Sequence, residues 1–186
     1  MAHPSELEFN LPPYAYVPGG PWPHPTGSPQ GHSAGQSRRP EPPIGPNPGA
    51  WIQSAAYRRG FALFNAGYYW EAHEVWEGLW HAHGRQGLTA DLLRGLIKLA
   101  AAGVKVREHQ PRGTATHARR AALLFETLRD LTGARLHGLD LHALATLSRR
   151  IADDPPRDPG TRDDRVVRVF GFRIVPDDIR DGIDDD

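Results

Sequence analysis

The sequence predicts an all-α protein, a small multihelical bundle of four to five helices. Residues 51–152 contain a single proline, Pro111, so a long stretch of chain is free of helix breakers. Apolar residues recur within it at steps of three and four, the period of one helix face. Short glycine-containing breaks separate these periodic segments, so successive helices should pack antiparallel on one another.

The first three predicted helices follow from their apolar faces and breakers. The first runs from about Ala50 to Ala66, and Gly67 takes the left-handed conformation that ends many helices. The second runs from about Tyr69 to Ala82. The third spans about Thr89 to His109, with the Thr89 hydroxyl expected to cap its first turn.

Two further helices complete the predicted bundle. The fourth runs from about Thr114 to Leu131, and Gly133 lies just beyond its end. The fifth begins near Asp140, whose carboxylate is a favourable N-cap. Its apolar residues again recur at steps of three and four: Leu141, Leu144, Leu147 and Ile151.

The two ends of the chain differ in composition from the helical domain. Residues 1–50 hold 13 of the 18 prolines and 7 of the 20 glycines, which predicts a disordered Pro/Gly-rich extension. Tyr14, Tyr16 and Trp22 lie within it, and they either dock on a partner or fix the extension to its own domain. Residues 153–186 form an acidic C-terminal tail. In that tail, residues 166–175 predict one extended strand that docks on the helical domain, pairs with a second copy or stays loose.

The charges are balanced over the whole chain but not within its regions. The formal net charge is zero, whereas residues 51–152 carry 14 basic and 8 acidic residues and residues 153–186 carry 6 and 11. A basic face around Arg119, Arg120, Arg149 and Arg150, extended by Arg107 and Arg112, is therefore expected. No aromatic platform or recognition helix accompanies it, so a nucleic-acid partner is not favoured.

The absence of cysteine excludes disulfides, thiolate nucleophiles and cysteine-ligated metals. The N-terminus does not read as a signal peptide, and the longest apolar stretch, residues 96–106, is far shorter than the ~20 residues of a membrane span. These observations predict a cytoplasmic protein without a membrane partner.

The second predicted helix carries the densest group of chemically active residues. Its helical spacing brings His73, Glu74, Glu77 and His81 to one face, which Trp70 and Trp80 flank. His73 and Glu77 are four residues apart, as are Glu77 and His81, so His73, Glu77 and His81 are candidate metal ligands. The spacing matches neither the H-E-x-x-H of zincins nor the paired E-x-x-H of di-iron bundles.

The same residues also fit a structural role. His73 and Glu77 can satisfy each other in a buried polar network, with the tryptophans filling the core. Lys98, on the third predicted helix, can reach the Glu74 and Glu77 carboxylates or remain a solvated surface residue. The ligand-binding candidates are therefore Trp70, His73, Glu74, Glu77, Trp80 and Lys98. His109 and His117, on either side of the Pro111 turn, are a further pair that could approach each other.

The motif FNAGYYWEAHEVWEGLW, followed by GLIKLAAAG, resembles the bacterial and archaeal domain-of-unknown-function family 309. The resemblance covers about Tyr57 to Leu128 and implies a small multihelical domain without implying an activity or a cofactor. Lys98 stands where the family usually has glutamine, and its added charge disfavours a cation at that point. The matching positions are Phe64, Asn65, Gly67, Glu71, His73, Glu74, Glu77, Trp80, Gly95, Leu96 and Ile97.

Three functions remain open from the sequence. The first is a binding domain that holds a small ligand or metal ion in a cleft beside the His/Glu/Trp motif. The second is a metal-dependent or acid/base enzyme that uses His73 with Glu74 or Glu77. The third is an interaction module whose acidic tail covers the basic face and competes with a polyanion. A homo-oligomer is compatible with each.

Overall fold

Five α-helices form the core of the protein in a computed structural model that describes residues 9–36, 40–47 and 49–177. They are α1 (Ala55–Ala66), α2 (Tyr69–Ala82), α3 (Leu88–Arg107), α4 (Pro111–Thr132) and α5 (Leu141–Asp153). Each helix packs mainly on the next one along the chain. The prediction of an all-α multihelical bundle is confirmed.

The ends of the helices show which local signals determine the fold. Gly67 ends α1 in the left-handed conformation with φ 99°, and a Cβ there would meet the Val167 carbonyl oxygen at 2.8 Å. The Asp140 carboxylate accepts a hydrogen bond from the Ala143 amide, as its predicted capping role requires. A short hairpin of β1 (Arg135–Leu136) and β2 (Leu139–Asp140) precedes this cap.

Three predicted helix starts are different in the structure, one of them that of α4, which begins at Pro111 rather than near Thr114. A 3₁₀ turn (Ala50–Gln53) replaces the first turn of the first predicted helix, because the Ser54 side chain accepts from the Tyr57 amide and starts α1 at Ala55. The prediction that Thr89 caps the third helix is wrong, because Gly87 occupies the N-cap position. Thr89 Oγ1 instead lies 2.8 Å from His137 Nε2.

Small residues on α3 allow close helix packing. A Cβ on Gly103 would lie 2.6 Å from the Tyr69 ring of α2, and a Cβ on Gly95 would lie 2.5 Å from the Phe125 ring of α4. The predicted close packing of α2 against the small residues of α3 is therefore seen at Gly103, whereas Gly95 packs closely against α4. Trp76 and Phe125 are completely buried in the core between these helices.

The N-terminal segment lies on the bundle over its described residues, which differs from the expected disordered extension. It has no helix or strand between residues 9 and 36, yet Tyr14 and Ala15 are buried. The Tyr16 ring packs edge-on against Trp70 of α2 at 5.0 Å. Aromatic contacts therefore hold this segment to its own domain, the alternative that Tyr14, Tyr16 and Trp22 had suggested.

The C-terminal segment also packs on the helices. Residues 166–175, where one extended strand was predicted, form no β-ladder, and Phe170 stacks on Phe64 of α1 at 5.7 Å. The Arg107 guanidinium donates to the buried Asp158 carboxylate at 2.6 Å, and Arg135 pairs with Asp177. Acidic residues of the tail thus meet arginines of the helical domain, of which Arg107 belongs to the predicted basic face and Arg135 does not.

None of the helices within the described residues combines the length and the hydropathy needed to cross a membrane.

Candidate functional site

Helix α2 brings His73, Glu74 and Glu77 together at its half-buried surface. One ligand atom from each side chain lies within 4.8 Å of the other two. His73 and Glu77 face the same way because they are one helical turn apart, and Glu74 extends toward them from the adjacent position. We call these three residues the α2 triad. They constitute the candidate metal centre within the described part of the chain.

The contacts of His73 fix the position of its imidazole in the triad. Its Nδ1 lies 3.6 Å from Glu74 Oε1, an ion-pair distance that is too long for a hydrogen bond. The same nitrogen is buried and has no hydrogen-bond partner. The Trp70 ring stacks on the imidazole with a centroid distance of 6.0 Å and an interplanar angle of 21°. The ring is thus held in place by an aromatic neighbour, while Nδ1 remains available to accept or coordinate.

His81 does not join the triad, although the sequence grouped it with His73 and Glu77. It is exposed, and its Nδ1 contacts the Arg85 guanidinium at 2.8 Å. Arg85 also lies over the Trp80 ring at 5.4 Å. These contacts place His81 and Trp80 in a separate group at the C-terminal end of α2. Glu74 takes the position in the cluster that the spacing had assigned to His81.

His117 lies within electrostatic range of His73, and Lys98 supplies positive charge beside it. Burial lowers the pKa of His117, and the charges of Lys98, Lys105 and Arg120 and the His73 imidazole lower it further. His117 Nδ1 is buried without a hydrogen-bond partner. The structure records no ion pair from Lys98 to Glu74 or Glu77 within the described residues. Nor do the described residues show a contact between His109 and His117, the pair expected to approach each other.

A cavity of about 170 Å³ lies beside the triad, between α1, α2 and the N-terminal segment. Of the predicted ligand-binding residues, Trp70 and Glu74 line it, whereas His73, Glu77, Trp80 and Lys98 do not. Glu71 and His32 also line it, and sequence reasoning had not singled them out as site residues. Glu71 belongs to the family motif, so that motif was the one available signal, whereas nothing local in the proline-rich segment distinguishes His32.

Glu71 is the buried carboxylate of this cavity. It is 7% exposed, and its Oε1 accepts from the Tyr16 amide at 2.9 Å and lies 3.1 Å from His32 Nε2. Its Oε2 is buried and has no hydrogen-bond partner. One oxygen therefore anchors the N-terminal segment to α2, while the other is left unsatisfied.

Comparison with known families agrees with the motif. The family model described as a domain of unknown function (DUF309) matches residues 57–116, from α1 into the first turns of α4. The resemblance predicted from the sequence is thereby confirmed over that segment, which contains the whole α2 triad. No curated protein matched the chain in a sequence search. The description of the family assigns no activity, so the chemistry of the site rests on its residues.

Proposed function

We propose that this protein binds a divalent metal ion at the α2 triad of His73, Glu74 and Glu77. The observation that carries the proposal is the convergence of one imidazole and two carboxylates within 4.8 Å. Metal–ligand bonds of about 2.0–2.2 Å place the donor atoms of one ion roughly 3–4 Å apart. The two glutamates are half-buried, so small rotations of their side chains close the remaining distance.

The donor set favours a metal that accepts both nitrogen and oxygen ligands, such as Zn²⁺ or Mn²⁺. Imidazole suits zinc and other first-row transition metals, carboxylates suit harder ions, and the chain has no cysteine to select a thiophilic metal. Two ionised carboxylates also balance the charge of a divalent ion. Because the imidazole must be neutral to coordinate, binding should weaken as the solution is acidified.

The surroundings of the triad set a limit on its affinity. All three ligands come from one turn of α2, so the remaining positions of the ion are left to water or to a ligand from solution. The positive charge of Lys98 near His117 and His73 opposes the ion. We therefore expect moderate affinity and an open coordination position rather than a closed structural site.

Isothermal titration of the chelator-treated full chain with ZnCl₂ and with MnCl₂ tests the proposal. We expect one ion per chain, and His73→Ala or Glu77→Gln should weaken binding on the order of tenfold or more. His81→Ala is the matched control, because His81 lies one turn beyond Glu77 on the same helix and outside the triad. Equal binding by all four proteins, or binding lost only in His81→Ala, contradicts the proposal.

The two alternative functions, an enzyme and an interaction module, stay predictions. The cytoplasmic location and the homo-oligomer stay predictions too. The same holds for a small-molecule or protein partner and for a nucleic-acid role. The division of the chain into an N-terminal extension, a helical domain and an acidic tail is likewise proposed on composition. The ion pairs of Arg107 with Asp158 and of Arg135 with Asp177 support a tail that lies on the helical domain.

A further inference from the structure

The cavity between the N-terminal segment and α2 has a roof and a floor of different origin. Its floor comes from α1 and α2, within the segment that matches the family model. Its roof comes from residues of the N-terminal segment, among them Pro12, Pro25 and His32, which lie outside that match. The cavity therefore exists because this chain places its proline-rich segment over the helices.

The unsatisfied oxygen of Glu71 indicates what the cavity accepts. A buried carboxylate oxygen without a hydrogen-bond donor costs free energy, so such atoms are rare in folded proteins. Oε1 already accepts from the Tyr16 amide and contacts His32 Nε2, which leaves Oε2 as the carboxylate oxygen without a donor. The required partner is a hydrogen-bond donor, and a positively charged donor best compensates a buried carboxylate.

The other walls define the remainder of the ligand. Leu63, Val75 and Pro25 present apolar surface, and Trp70 adds an aromatic side chain to the lining. Glu74 adds a second carboxylate to the lining. Among the described residues, the guanidinium of the lining belongs to Arg59, which is exposed, so water and salt screen its charge. The described residues thus bring two carboxylates and one exposed guanidinium to a cavity whose other walls combine apolar and polar side chains.

We infer that this cavity binds a small ligand that carries a primary ammonium group on a short apolar body, with the ammonium donating to Glu71. The volume of about 170 Å³ fits a body of a few carbon atoms. This inference goes beyond the proposed metal site and does not rest on it, although Glu74 borders both.

Calorimetric titration of the full chain in the presence of EDTA tests the inference with butylammonium chloride as the probe and 1-butanol as its neutral counterpart. We expect saturable binding of butylammonium with a Kd on the order of 1 mM, which is within reach of so small a ligand. Butanol should bind at least tenfold more weakly. Equal binding of the two probes, or no saturable binding of butylammonium, overturns the inference.

Three variants locate the binding. Glu71→Gln should weaken butylammonium binding at least tenfold, and Val75→Phe should do the same by filling the cavity while it retains the Glu71 carboxylate. Glu77→Gln, which lies outside the cavity lining and removes a metal ligand, should bind the amine like the wild type. Circular dichroism verifies the fold of each variant. Undiminished binding by a folded Val75→Phe overturns the inference, whereas loss of metal binding alone in Glu77→Gln bears only on the metal proposal.

Discussion

The side chain of Asn65 exchanges two hydrogen bonds with the backbone of Ile174, 109 residues further along the chain. Its Nδ2 donates to the Ile174 carbonyl at 2.8 Å, and its Oδ1 accepts from the Ile174 amide at 2.9 Å. Asn65 is 3% exposed, so both bonds are shielded from water. One asparagine of α1 therefore hydrogen-bonds both backbone groups of a residue in the C-terminal segment, as a neighbouring strand would in a sheet.

Replacement of Asn65 by alanine should destabilise the protein by about 2 kcal/mol, because it leaves a buried backbone amide and carbonyl without partners. Urea denaturation measures this change in the free energy of unfolding. Limited proteolysis should also cleave faster within residues 157–165, once the following segment is released. Asn47→Ala, at an exposed position, is the control and should shift stability by no more than about 0.5 kcal/mol. A loss of similar size in both variants would contradict the anchoring role of Asn65.

Gly103→Ala should destabilise the bundle by about 1–3 kcal/mol. The new methyl would lie 2.6 Å from the Tyr69 ring, which cannot move freely because its hydroxyl accepts from the Val169 amide at 3.0 Å. Gly78→Ala is the matched control on α2, where the nearest atom to a new Cβ is Glu41 Cγ at 3.8 Å. That substitution should stabilise the protein by about 0.5–1 kcal/mol through helix propensity alone. The same sign of change in thermal denaturation of both variants would argue against close packing at Gly103.

His117 should titrate below the ordinary histidine pKa of 6.5, because burial and nearby positive charge both disfavour its protonation. Lys98→Gln removes one of those charges and should raise the pKa of His117, whereas Lys98→Arg retains the charge and should leave it low. The imidazole resonances of His117 in an NMR pH titration report the pKa directly. An unchanged pKa of His117 in Lys98→Gln would contradict an effect of the Lys98 charge on this imidazole.

The protein should lose stability as the pH falls from 7 to 5, in part through His137. Burial lowers the pKa of His137 below 6.5, with a smaller contribution from His83. The unfolded chain therefore binds the proton more readily, so this contribution is complete above pH 6.5 and is lost as the pH falls through the folded pKa. One such group changes the unfolding free energy by no more than about 1.4 kcal/mol per pH unit.

His137→Asn tests this contribution, because asparagine tolerates the positive φ of 48° at this position. Urea denaturation at pH 5, 6, 7 and 8 should show a shallower loss of stability in the variant below pH 6.5. Above pH 7 the two curves should run parallel, since the imidazole is neutral there. A variant curve with the wild-type slope throughout would assign the acid sensitivity to other groups.

Most of the helical core could be predicted because its signals are local. The bounds of α2 agree with the prediction at both ends, and Gly67, Gly133 and Asp140 occupy their expected cap positions. The error at Thr89 arose because its hydroxyl can bond a distant residue, His137, as readily as its own helix.

The packing of the two terminal segments on the helices could not be predicted from the sequence, nor could part of the candidate site. The contact of His32 with Glu71 joins residues 39 apart, and the burial of Tyr14 depends on its packing against Trp22 and His32. Composition describes only the average tendency of such a segment. Within the site, helical spacing grouped His73 with Glu77, but it could not show that Arg85 holds His81 away or that Glu74 completes the cluster.

Crystals of the full chain soaked in MnCl₂ test the metal proposal most directly, through the anomalous scattering of manganese. If the metal ion binds as proposed, one peak is expected at the α2 triad, within about 2.2 Å of a nitrogen of His73 and of a carboxylate oxygen of Glu74 or Glu77. Crystals of Glu77→Gln grown and soaked in the same way should show a weaker peak or none. Anomalous density elsewhere with none at the triad, or a peak that His73→Ala leaves at full height, would contradict it.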